Sequence, residues 1–282
     1  MAVFHGRFDK VVFIVSSGRT GTTALATHLD KTYPNVRALH EPTPSWRLRR
    51  ASNKALCGHM TKEQLVRLLA DSRRKLVTSI DRPIYIESNP YLGGFLDAFG
   101  EVFDNPFIIH VVRDPRSFVR SSVNFGTFAG IKRWAQAFVP YWLPKPENFA
   151  QPGEASWAQM SEPARLAWYW AILNTELNRG RELFGPRYLR IRFEDLFKPD
   201  GAGLRQLTDF IGIPYDQRLA ESANSEKVNA SSSGRMPRWQ DWDPATLREV
   251  LGFCEPLMKE YGYGPADSSP ASSPSPLQQA NA

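Results

Sequence analysis

The sequence predicts an α/β fold, a mostly parallel sheet flanked by helices on both faces. Val11-Val-Phe-Ile-Val15 and Phe107-Ile-Ile-His-Val-Val112 are continuous β-branched and aromatic runs, the pattern of strands buried on both faces. Each passes through a turn into a helical stretch rather than into a hairpin. The chain has 282 residues, 42% of them hydrophobic, which is enough for one large core.

The elements follow in order. After 11–15 comes a small-residue turn, Ser16-Ser-Gly-Arg-Thr-Gly-Thr-Thr23, and then a helix over 24–30. Residues 36–39 read as a second strand that ends at His40-Glu41-Pro42. A helix over 61–75 starts at Thr61 with Glu63 and Gln64 just downstream, and Leu65, Leu68 and Leu69 share its apolar face. Residues 84–86 form a short strand leading into Glu87-Ser-Asn-Pro90. The 107–112 strand runs straight into Arg113-Asp-Pro-Arg116, and 117–124 continues as a helix.

Residues 126–160 break this rhythm, with Trp134, Phe138, Tyr141, Trp142 and Trp157 set among prolines and glycines. The segment reads equally as a lid over an acceptor and as a small apolar core under a long loop. Beyond it lie a long helix over 163–183, a strand over 188–193, and a helix over 204–210 closed by Gly212. One domain is expected over 1–265. Residues 266–282, mostly Ser, Pro, Gln and Ala, are expected to be disordered.

Charge and cysteine content narrow the function. Lys and Arg number 35 against 29 for Asp and Glu, a net +6 that suits an anionic ligand. No dense basic stripe with interleaved aromatics or nucleic-acid reader motif accompanies it, so nucleic acid is not the expected partner. The densest basic stretches, Arg47-Leu-Arg-Arg50 and Arg73-Arg-Lys75, read as solvated helix faces. Cys57 and Cys254 are far apart, which argues against a disulfide framework and rules out a Cys-based zinc site; no metal is expected. No stretch approaches the ~18 apolar residues of a membrane span, nor does the N-terminus resemble a signal helix. The expectation is a soluble, cytoplasmic protein without stable membrane insertion.

In a parallel sheet, ligands bind beyond the carboxyl ends of the strands, and the 16–23 loop, Glu41 and Arg113 all fall at such ends. Gly18 and Gly21 let the loop backbone turn its N–H groups onto an anion, and the helix that follows adds its N-terminal dipole. Arg19 contributes charge, while Thr20, Thr22 and Thr23 contribute hydroxyl donors. A Walker A loop needs GxxxxGK followed by Ser or Thr, and this loop has GxxG. A nucleotide-dependent phosphotransferase is therefore disfavoured but stays as the alternative, beside a nucleotide-binding protein without turnover. At the second site, Arg113 can hold a phosphate through its guanidinium fork, with Ser121 adding a hydroxyl from the next helix.

Together these residues resemble the sulfotransferases that use 3′-phosphoadenosine 5′-phosphosulfate (PAPS). Ser17-Gly-Arg-Thr-Gly-Thr-Thr23 is similar to that family's 5′-phosphosulfate loop, and Arg113 with Ser121 to its 3′-phosphate motif. Residues 192–200, continuing through Leu204, Phe210, Gly212 and Pro214, resemble a third family segment. The resemblance covers residues 10–265, weakest over 126–160, and implies a P-loop-NTPase-like sulfotransferase fold. Arg19 stands where cytosolic members carry Lys, which brings the chain closer to the bacterial, tyrosylprotein and heparan-type branches. Phe193 replaces a Tyr that often contacts adenine. The family's later glycine loop corresponds to 227–235, so Lys227 and Arg235 are further cofactor contacts by resemblance.

The chemistry so implied is in-line transfer of a sulfuryl group from PAPS to a hydroxyl, less readily an amine, of a small-molecule, lipid or carbohydrate acceptor. Arg19 would offset charge on the leaving phosphate and a general base would take the acceptor's proton. Glu41 matches the Glu that tyrosylprotein and heparan-type members use, and Glu87 is the second candidate. His40 and His59 are weaker ones, and His110, inside a strand, is expected only to pack.

Overall fold

The computed structural model describes residues 1–151, 153, 156–225 and 234–264. Five strands and twelve α-helices occur among them. The chain opens with β1 (Lys10–Ser16), α1 (Thr22–Thr32) and β2 (Val36–His40). Next come α2 (Ser45–Leu56), α3 (Lys62–Ser79), β3 (Ile84–Ser88) and α4 (Leu96–Val102). The middle of the chain holds β4 (Phe107–Val112), α5 (Pro115–Asn124), α6 (Gly130–Phe138) and α7 (Glu162–Asn178). The last part is α8 (Gly180–Phe184), β5 (Tyr188–Arg192), α9 (Phe193–Leu196), α10 (Ala202–Ile211), α11 (Gln217–Ser225) and α12 (Pro244–Glu260).

Local signals set most boundaries. Thr61 and Gln64 form a reciprocal capping box that starts α3, with Gln64 N donating to Thr61 Oγ1 at 3.3 Å and Thr61 N to Gln64 Oε1 at 3.1 Å. Asp114 caps α5 by accepting from Arg116 N at 2.8 Å, with Pro115 in the first turn. Gly212, at φ 79°, ends α10 in the left-handed conformation. The helix expected over 163–183 is two helices, α7 and α8, which part at Arg179. The strand expected to reach Phe193 stops at Arg192, because Phe193 already turns into α9.

All strand pairings are parallel, in the order β2-β3-β1-β4-β5. Alternate residues of β1 serve opposite faces of the sheet. Val11, Phe13 and Val15 meet α3, α4 and α7, and Phe13 stacks on Phe99 with ring centroids 4.1 Å apart. Val12 and Ile14 meet Leu25 and Leu29 of α1 and Leu204 and Leu207 of α10. The chain leaves β1 towards β2 and β3, then crosses back to β4, so the direction of winding reverses beside β1. That is where such sheets open a crevice at the carboxyl edge. A third cluster packs α12 against α5 and α7 through Val250, Cys254, Phe118 and Trp170. Cys57 and Cys254 are both buried thiols. No described helix is long and apolar enough to cross a membrane.

Candidate active site

The turn after β1 is built by Ser16. Its Oγ accepts from Gly18 N at 3.1 Å and from Thr20 Oγ1 at 2.9 Å, closing the chain on itself. Gly18, Arg19 and Gly21 have φ of 90°, 57° and 67°, so three of four consecutive residues are left-handed. This curls the N–H groups inward as an anion nest needs. Gly21 has a second reason to lack a side chain, since a Cβ there would lie 3.1 Å from both the Phe193 and Phe197 rings. Thr20 and Thr22 point into the protein, Thr20 to Ser16, whereas Thr23 Oγ1 meets His40 Nε2 at 2.8 Å.

The second motif lies against the first. Arg19 Nε donates to Ser121 Oγ at 3.1 Å, and an Arg113 guanidinium nitrogen donates to the Arg19 carbonyl. Residues about a hundred positions apart are thus joined at the tips of adjacent strands β1 and β4. Trp170 Nε1 holds the Arg113 carbonyl at 3.0 Å, and the Phe193 ring lies under the guanidinium at 4.5 Å. The Phe193 ring therefore supports Arg113 by packing. Arg19 lies over the Phe125 ring at 4.2 Å, and Lys132 Nζ lies 3.4 Å from the centroid of that ring.

These cations are crowded and under-compensated. Burial, and then the Arg113 charge, pulls the Arg19 guanidinium below its ordinary value. Burial does the same to Arg113, only partly offset by Glu194. Lys132 is lowered by burial, then by Arg19 and Arg49. Two buried donors, Ser17 Oγ and Arg113 Nε, have no hydrogen-bond partner among the described residues. A buried donor left open costs about 1–3 kcal/mol, so a site holding two beside crowded positive charge fits a polyanionic ligand.

At the tips of β2 and β3 the expected acid–base candidates part company. Glu41 is left-handed at φ 44°, its N–H is tied to Ser88 O at 2.9 Å, and its carboxylate reaches the surface, 30% exposed. Glu41 Oε1 lies 3.3 Å from His40 Nε2, which links it through Thr23 to the loop. Ser88 Oγ lies 3.0 Å from His40 Nδ1 and donates to Thr22 O at 3.2 Å, which ties the His40 ring to the start of α1.

Glu87 does not reach the site. Its carboxylate is fully buried and receives Arg73 Nε at 2.7 Å, Arg73 Nη2 at 2.5 Å, Tyr85 OH at 2.7 Å and Asn89 Nδ2 at 2.9 Å. With four donors around two oxygens it is an anchor under the sheet edge, with no free lone pair facing the loop. This also corrects the reading of Arg73 as part of a solvated face, since its side chain is as buried as its partner's.

The remaining candidates lie apart. Arg235 is exposed; it pairs with Glu162 at 3.4 Å and approaches Val123 O, at the end of the helix that carries Ser121. Lys227 lies outside the described residues. His59 sits on the surface against Asn148 O. His110 is fully buried, between Tyr188 OH at 2.7 Å and Asn174 Oδ1 at 2.9 Å. Sequence reasoning missed Phe125, Lys132, Trp170 and Glu194 as parts of this neighbourhood. Glu194 takes Tyr263 OH at 2.7 Å and Asp114 N at 3.2 Å, and burial raises its carboxyl above the usual range. Its only signal was its place in the 192–200 segment.

Residues 11–217 match the profile of the sulfotransferase family. Among solved structures, the chain is similar to the sulfotransferase domain from the curacin biosynthetic pathway, at 19% identity and TM-score 0.53 over 89% of this chain and 98% of that one. It is also similar to a sulfotransferase from Alicyclobacillus acidocaldarius, at 15% identity and TM-score 0.52 over 90% and 96%. Mouse sulfotransferase SULT7A1 complexed with PAP matches at 16% identity and TM-score 0.50 over 90% of each chain. At these identities the likeness is one of fold. No curated protein matches the sequence.

Proposed function

The chain belongs to the sulfotransferase family, and from that premise we propose that it moves a sulfuryl group from PAPS to a hydroxyl, less readily an amine, of a small-molecule, lipid or carbohydrate acceptor. The observation that carries this reading is the direct contact between the two anion-binding motifs, Arg19 to Ser121 and Arg113 to the loop carbonyl. One doubly phosphorylated nucleotide can span groups that already touch. The open donors Ser17 Oγ and Arg113 Nε fit phosphate or sulfate oxygens.

The donor nucleotide supplies an activated sulfate whose transfer needs alignment and charge stabilisation more than covalent help. In this reading Ser17 and the N–H groups of 18–23 bind the 5′-phosphosulfate, and Arg113 with Ser121 binds the 3′-phosphate. Arg19 stays charged throughout and offsets negative charge on the departing phosphate. Glu41 takes the acceptor's proton: it alone of the two glutamates combines exposure with a link to the loop through His40 and Thr23. Glu87 holds the β3 edge in place.

Transfer of labelled sulfate from PAPS to a panel of hydroxylated acceptors tests the assignment of the base. Glu41→Gln is expected to bind PAP (3′-phosphoadenosine 5′-phosphate) as wild type does and to lose about 10²- to 10⁴-fold in turnover. Undiminished turnover would remove Glu41 from the mechanism.

A further inference from the structure

The 126–160 segment has two characters. Its second half is packed, with Phe149 and Trp157 against Trp168 at ring distances of 5.9 and 6.0 Å. In its first half, α6 turns Ala135 and Gln136 inward, and Gln136 Nε2 donates to Thr127 O at 2.7 Å. The opposite face carries Ile131, Trp134 and Phe138 at i, i+3 and i+7, and these are 76%, 55% and 68% exposed. Phe125, just upstream, and Trp46 on α2 are also large apolar side chains left at the surface.

The setting of this stripe is basic throughout. Residues 115–146 contain five Lys or Arg and no Asp or Glu, and residues 42–62 contain the same. Arg47, Arg50 and Lys54, again at i, i+3 and i+7, form a row along α2. The row adjoins α6, because Arg50 Nε donates to Pro140 O at 3.1 Å, two residues after that helix ends. Lys132 lies near enough to Arg19 and Arg49 for both charges to act on it.

We propose that α6 and the basic row of α2 form a peripheral docking surface for an anionic phospholipid bilayer. Ile131, Trp134 and Phe138 enter the boundary between headgroups and acyl chains, and Arg47, Arg50 and Lys54 face lipid phosphates. An apolar stripe of Trp, Phe and Ile beside Lys and Arg is the chemistry of a helix lying in the membrane interface. A second copy of the chain would set the cations of residues 42–62 and 115–146 against the same cations, with no Asp or Glu inside either segment to offset them. Three side chains of this size offer on the order of 500 Å², short of the roughly 800 Å² per partner of a stable protein interface. The surface stands apart from the transfer reading. Where that reading also holds, the acceptor is an amphiphile met at headgroup level, because Lys132 and Phe125 border Arg19.

Co-sedimentation of the full chain with vesicles of phosphatidylcholine alone, or mixed in equal parts with phosphatidylglycerol, tests the surface. Binding to the mixed vesicles is expected to be about tenfold tighter or more. Ile131→Ser with Phe138→Ser, and separately Arg47→Glu with Lys54→Glu, should each remove most of that binding and leave the PAP-induced thermal shift unchanged. No preference for the anionic vesicles, or binding that both variants retain, overturns the proposal. So does light scattering that shows wild-type dimers which the Ile131/Phe138 variant abolishes, since the stripe then serves a second copy. Loss of the PAP shift with vesicle binding intact would remove the transfer reading and leave the docking surface standing.

Discussion

Arg19 and Glu41 are two of only four non-glycine residues with positive φ among the described residues, and both lie at strand tips. An L-residue in that region is held there by its surroundings, and such positions gather at functional sites. The loop fixes Arg19, and the tie from Glu41 N to Ser88 O fixes Glu41. Arg113 was legible in the sequence because an Arg at a strand end followed by a helix start is a recognisable pattern. The rings that seat these arginines, Phe193 and Phe125, were not, because their partners lie far away along the chain. Charge-assisted hydrogen bonds are worth roughly 1.5–3 kcal/mol each. Arg113→Ala should therefore weaken PAP binding about 10- to 100-fold by calorimetry, with the fold retained; unchanged affinity would place the 3′-phosphate elsewhere. His110 carries a different prediction. Burial draws its pKa down to about 3, from 6.5. A depressed folded value means that its contribution is whole above pH 6.5 and is lost as pH falls towards 3, by about 1.4 kcal/mol per pH unit. Wild type should lose stability steeply over that window in urea titrations, and His110→Asn should show a shallower slope. Parallel slopes would mean that His110 does not remain neutral in the fold.

At the scale of elements, the β1–loop–α1 and β4–α5 units were readable because a strand, a turn and a helix follow one another locally. The use of the strand tips was less readable. Glu41 directly follows β2 and Glu87 is the penultimate residue of β3, and the sequence ranks the two without separating them. The separation comes from α3, which delivers Arg73 beneath β3 and locks Glu87 away. Removing one partner of a buried pair strands the other charge, at about 3–5 kcal/mol. Glu87→Gln should lower stability by that order in denaturant titrations, and Arg73→Met combined with Glu87→Leu should recover much of the loss. A Glu87→Gln variant of normal stability but no turnover would instead return Glu87 to the chemistry. Gly21→Ala forces a left-handed Cβ against Phe193 and Phe197 and should cost roughly 1–2 kcal/mol, with a larger effect on PAP affinity. Wild-type affinity in that variant would show that the loop tolerates reshaping.

For the whole molecule, the strand–helix alternation announced a parallel sheet, but the order β2-β3-β1-β4-β5 rests on long-range pairing that no local pattern encodes. Helix α12 escaped notice because its buried residues Val250, Cys254 and Met258 form a narrow stripe and Pro256 interrupts the helical reading. Its Cys254 and Met258 nonetheless close the core that holds Trp170, and through it the Arg113 carbonyl. Sheet order, helix packing and strand tips together bring the 16–23 loop and the Arg113–Ser121 segment, the two motifs proposed to hold the nucleotide, into contact at one edge. Thermal unfolding with PAP against ATP tests this convergence most directly. At a hundredfold excess over Kd, PAP should add ~2.7 kcal/mol, about 5–10 °C for a domain of this size, and ATP far less. Equal shifts from both nucleotides, or none from PAP, would contradict the account.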